Sequence, residues 1–150
     1  MTQAGTYTVA VFQDTAWARR GVEALAADGF ISSAFSILGK ASDEVRSLCT
    51  DTLGAEPQHL DVRSLGAVLA GGPLLETLQG SDRALESDGV GTTMRRAGFQ
   101  RHDGHIYETL VGRGGVLVAV RDEARAADAL AKMHSFGGGN AAIGAWSGRV

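Results

Sequence analysis

A single cysteine, Cys49, stands in 150 residues. It cannot close an intramolecular disulfide, and it excludes a cysteine-based zinc site. Prolines number two and aromatics make up 6%, so rigid proline-rich linkers and stacked aromatic platforms are absent. No apolar run approaches the ~18 residues that a membrane-spanning helix needs. The opening residues Met1-Thr2-Gln3-Ala4-Gly5-Thr6 show neither a basic leader nor an apolar core, so they do not read as a signal peptide. The chain is therefore expected to be cytoplasmic. Positive charge is also short: the net charge is −3, and the basic residues are scattered, with pairs at Arg19-Arg20 and Arg95-Arg96. A nucleic-acid binder concentrates such charge on one face, so nucleic acid is not an expected partner.

What is present is ordinary globular material. Hydrophobic residues are 44% and charged residues 21%, enough for one core and one domain over residues 1–150. Glycine is the exception, at 21 of 150 residues, about twice the typical ~7%. Most of it follows Gly66.

The clearest strand is Val116-Leu117-Val118-Ala119-Val120, entered through Gly114-Gly115. Thr6 to Phe12 predicts a second strand, with Tyr7, Val9 and Val11 on one face and Thr8, Ala10 and Phe12 on the other. Asp14 or Thr15 caps a helix from about Ala16 to Asp28, whose Ala18, Val22, Leu25 and Ala26 recur at helical spacing. Gly29 ends it, and Ala34 to Gly39 predicts the next strand. Ser42 with Asp43 and Glu44 starts a helix that turns Val45, Leu48 and Cys49 inward, where Cys49 serves as a small buried hydrophobe. Pro57 to Asp61 reads as a connector. Ala67 to Ala70 predicts a short strand, and Pro73 to Leu78 a short helix with proline in its first turn. Gly80 to Asp88 reads as polar and exposed, and Val90 to Ala97 as a short helix closed by Gly98. A helix from His102 or Asp103 carries Ile106, Leu110 and Val111 as its apolar stripe. A last helix runs from Glu123 to Ser135, and Asn140 to Trp146 predicts a final strand.

Two β-α-β units within one domain predict a ferredoxin-like α+β sandwich with a glycine-rich helical insertion between them. The strands at Thr6–Phe12 and Val116–Arg121 are expected side by side at the centre of its sheet. Both faces of these strands are apolar, so each face needs a cover. Either the glycine-rich middle segment or the sheet face of a second subunit can supply it. The homodimer is the preferred expectation, because a twofold interface buries one shared patch.

The sequence resembles a family at this point. Val9-Ala10-Val11-Phe12 through Gly29-Phe30, then Ala70-Gly71-Gly72-Pro73-Leu74, Ala97-Gly98-Phe99, Tyr107-Glu108 and Arg113-Gly114-Gly115-Val116-Leu117-Val118-Ala119-Val120, resemble the heat-induced and general stress proteins of bacteria, the general stress protein 17M-like domain. The resemblance implies a role in the stress response and brings no catalytic residues or cofactor. Many members carry a long glycine-zipper insert able to enter a membrane. Here the corresponding Leu65–Gly91 is short and broken by charges.

Candidate chemistry is sparse. His102 and His105 lie three apart, with Asp103, Tyr107 and Glu108 around them, and could face one metal if His59 or His134 supplied a third ligand. The plainer reading is a solvated helix start. Gly89-Val90-Gly91-Thr92-Thr93 places glycines before a helix, as anion-binding loops do, but lacks the lysine and the preceding strand of a P-loop. Gly71-Gly72-Pro73 raises the same question. Trp17, Phe30, Phe35, Tyr107 and Trp146 read as core or dimer contacts. The leading expectation is a non-enzymatic domain that works through self-association or a protein partner, without cofactor. The alternative is a small-molecule or metal-binding domain with a cleft near His102, His105 and Tyr107, by analogy with small dimeric ferredoxin-like enzymes.

Overall fold

The computed structural model describes residues 7–139. The expected strand from Asn140 to Trp146 lies outside them, as do residues 1–6. Five strands form one sheet: β1 (Thr8–Phe12), β2 (Phe35–Lys40), β3 (Gln58–Val62), β4 (Gly66–Gly71) and β5 (Val116–Val120). Their order is β1-β5-β2-β4-β3, and every neighbouring pair is antiparallel. Among the described residues six α-helices accompany them: α1 (Thr15–Ala27), α2 (Asp43–Leu53), α3 (Pro73–Gln79), α4 (Ala84–Thr93) and α5 (Arg101–Gly112) between strands, and α6 (Ala126–Ser135) after β5. The fold is α+β.

Local chemistry sets the helix ends. The Asp14 carboxylate accepts the Trp17 N–H at 2.9 Å and starts α1. Ser42 Oγ accepts the Val45 N–H at 3.1 Å and starts α2, with Asp43 and Glu44 in its first turn. Each cap satisfies a donor that the helix leaves orphaned. Gly54 closes α2 in the left-handed region at φ 73°, where a Cβ would be strained.

The placement of the strands corrects the expected sheet. β1 and β5 do pair, with Ala10 opposite Val118, but β2 is the central strand and β1 lies outside β5. The outer edge of β1 is met by Gly139, which exchanges two backbone hydrogen bonds with Val11, at 2.8 and 2.9 Å. The segment read as a connector contains β3. Its burial alternates, with Leu60 and Val62 inside and His59 and Asp61 outside, as one strand on a half-buried sheet requires.

The covers of the two sheet faces are the second correction. On one face Ala10, Phe12, Ile37, Leu69, Val116, Val118 and Val120 pack with Ala18, Val22 and Leu25 of α1, Val45, Leu48 and Cys49 of α2, and Ala129 and Met133 of α6. Gly21 lets α1 approach, since a Cβ there would lie 2.7 Å from the Phe12 ring. On the other face Val9, Val11, Leu38, Val68, Leu117 and Ala119 pack with Leu74, Leu75 and Leu78 of α3, Leu85 and Val90 of α4, and Leu110 and Val111 of α5. The glycine-rich middle segment of the same chain thus covers the face that a second subunit was expected to cover. Each fully buried Leu or Val there contributes about 1.5–3 kcal/mol, so the apolar parts of both sheet faces are covered within one chain, while His59 and Asp61 of β3 stay exposed at the edge of the α1–α2–α6 face.

The segment 80–88 is exposed as expected at 80–83, 87 and 88, and departs from that expectation in the middle for the same reason. Ala84 and Leu85 are buried in that cover, and α4 already begins at Ala84. Gly89 (φ 89°, ψ 171°) breaks α4 into two short pieces.

Candidate functional site

The residues with the densest candidate chemistry lie on α5. His102 and His105 are both exposed on its outer side, and Tyr107 is buried. Tyr107 meets Phe99 edge to face, with ring centroids 5.8 Å apart, so it belongs to the core. His59 lies exposed on β3 and His134 exposed on α6. Among the described residues no three His, Cys, Asp or Glu side chains come together as a metal cluster. The histidine pair on α5 therefore has no third ligand from His59 or His134.

Glu108 has a different task. Its Oε1 accepts the Gly91 N–H at 2.6 Å. Gly91 opens the second piece of α4, just beyond the break at Gly89. The glycine loop that resembles an anion site thus already receives an anion, the protein's own carboxylate. The helices are close here: a Cβ on Gly104 would lie 2.4 Å from the Gly91 carbonyl oxygen, and one on Gly91 would lie 2.5 Å from His105 Nδ1.

Gly71-Gly72-Pro73 is settled in the same manner. Ser36 Oγ, buried beneath α3, accepts the Leu74 N–H at 2.8 Å. A Cβ on Gly72 (φ 105°) would lie 2.3 Å from the Phe35 carbonyl oxygen, so Gly72 serves a close approach of the α3 start to β2, while one on Gly71 would meet the Leu53 side chain of α2 at 2.7 Å. The space between this helix and the sheet shrinks to a cavity of about 10 Å³ lined by Ser36, Leu38, Leu74, Leu78 and Leu117 among others. That holds one water at most, and no substrate fits between sheet and helix at this point.

Cys49 is fully buried. Burial pushes its thiol up to about 11, against a smaller opposing pull from Arg46, so it is not a thiolate nucleophile at neutral pH.

The surface feature that stands out is Trp17. Expected as a core or dimer contact, it is 37% exposed and so lies outside the core of this chain. Its position three residues before Arg20, outside the Ala18, Val22, Leu25 stripe, signals that exposure in the sequence. The Arg20 guanidinium lies 4.9 Å from its ring centroid, within cation–π range. Trp17 lines an open cleft of about 230 Å³ together with Gln13, His134, Ser135 and Gly137. His134 and Gln13 come from opposite ends of the sequence and are brought together because α6 packs beside α1. Sequence reasoning did not join them, since only the tertiary packing does. The clefts lined by the α1 and α2 starts and by the end of α2 and the start of α3 likewise exclude His102, His105 and Tyr107.

No helix of the described residues is long and apolar enough to cross a membrane. In comparisons with protein-family models, curated proteins and solved structures, nothing matches this chain.

Proposed function

We propose that the chain is a non-enzymatic, cytoplasmic domain that works through self-association or a protein partner, in the stress-associated role that the resemblance to bacterial general stress proteins implies. The observation that carries the binding half of this reading is the exposed Trp17–Arg20 pair at the rim of the α1–α6 cleft. Tryptophan and arginine are the side chains that most often anchor protein interfaces. Two residues beside the histidine pair give further support: Glu108 accepts the Gly91 N–H, and Tyr107 packs in the core.

With the apolar parts of the sheet faces covered by helices, self-association in this reading uses the α1–α6 surface. The test is mass in solution across a concentration series, for the wild type and Trp17→Ala, beside a thermal-shift screen of metals and metabolites. The expected result is a mass that rises above the monomer with concentration and does so less in Trp17→Ala. A chain that stays monomeric while zinc or a metabolite raises its melting temperature, an effect lost in His102→Ala/His105→Ala, overturns the reading in favour of a metal-binding or small-molecule domain.

A further inference from the structure

We draw no further inference here: the strongest candidate, the cleft of about 390 Å³ where the N-termini of α1 and α2 meet beside Lys40 and Gly114, consists of helix starts already capped by Asp14 and Ser42 and fringed by the carboxylate of Glu44, and no buried polar side chain among the described residues points to a ligand there.

Discussion

The carboxylate of Glu108 on α5 accepts the backbone N–H of Gly91 on α4 at 2.6 Å, across seventeen residues of sequence. It ties the second piece of a broken helix to its neighbour. A charge-assisted bond of this kind is worth about 1.5–3 kcal/mol. Glu108→Ala is expected to lower unfolding free energy by about 1–2 kcal/mol, and Glu108→Gln by less, since the amide oxygen still accepts. Urea denaturation measures both. An unchanged midpoint in Glu108→Ala would show that the bond contributes nothing.

The same contact makes two glycines unequal. Alanine normally gains up to about 1 kcal/mol over glycine inside a helix. At Gly104 the added Cβ would lie 2.4 Å from the Gly91 carbonyl oxygen, a backbone atom that can move only with its helix. At Gly91 it would meet the His105 ring, at 2.5 Å, and the Glu108 carboxylate, at 3.0 Å, and exposed His105 can swing aside. Gly104→Ala is expected to destabilise by about 2 kcal/mol or more through overpacking, and Gly91→Ala by less. Thermal unfolding of the two variants gives the ranking, and the reverse order would contradict the packing described.

These glycines also show where the sequence was legible. Caps are local, so Asp14, Ser42 and Pro73 marked helix starts, and Gly29 and Gly98 chain turns, from neighbours alone. The apolar run Val116–Val120 announced a strand buried on both faces. β3 was hidden because His59 and Asp61 face out, Gln58 is polar and exposed at the strand's start, and only Leu60 and Val62 are buried, too few alternations to stand out after Pro57. For the second sheet face the glycine-rich middle segment was one of two legible covers, and the choice between it and a second subunit was hidden for another reason. Gly89, Gly91 and Gly104 break the helical periodicity of 84–112, and their use, letting α4 and α5 touch, exists only once the helices are packed. Candidate chemistry was legible as residue types. That Glu108 and Ser36 cap backbone N–H groups was not, because their partners lie 17 and 38 residues away.

Glu86 guards the outer edge of β3. Its Oε1 accepts the Asp61 N–H at 3.3 Å, while Oε2 receives Arg83 Nε at 2.8 Å and Gln79 Nε2 at 3.0 Å. The hydrogen bond from Arg83 holds the Glu86 carboxyl below its ordinary 4.5. A carboxylate with a depressed pKa stabilises the fold above the unfolded-state value, and that stability is lost as pH falls through the folded value. Glu86→Gln is therefore expected to reduce the loss of stability in acid, read from denaturation midpoints on either side of that range. Glu86→Ala in addition uncovers a strand edge and is expected to raise self-association, by light scattering, as exposed edges do. Wild-type acid sensitivity in Glu86→Gln would remove this residue from the account.

Cys49 gives a signature at the alkaline end. Burial raises its thiol from 9.0 to about 11. The unfolded chain loses that proton first, so the folded state binds more protons between these values. The stability Cys49 contributes is whole below about 9 and declines as pH rises toward about 11. Cys49→Ala is expected to flatten that decline relative to the wild type. A thiol-alkylating reagent at neutral pH should label the native protein only at the rate at which it opens. Rapid stoichiometric labelling without unfolding would place the thiol at the surface.

Val118 tests the central claim that one chain covers its own sheet. It lies opposite Ala10 on β1 and Ile37 on β2, is fully buried, and packs in the cluster beneath α1, α2 and α6. Val118→Ala removes two methyl groups and leaves a gap, at about 2–3 kcal/mol. Val118→Asp buries a carboxylate in an otherwise apolar cluster, where an unpaired charge costs several kcal/mol, much of what a domain of this size possesses. If the sheet met a second subunit, Val118→Asp could split an oligomer into folded monomers. With helices of the same chain on both faces, it is expected to unfold the monomer, read by loss of near-ultraviolet circular dichroism and of the cooperative thermal transition. Folded Val118→Asp monomers with a lower mass than the wild type would mean that the sheet face belongs to an interface after all.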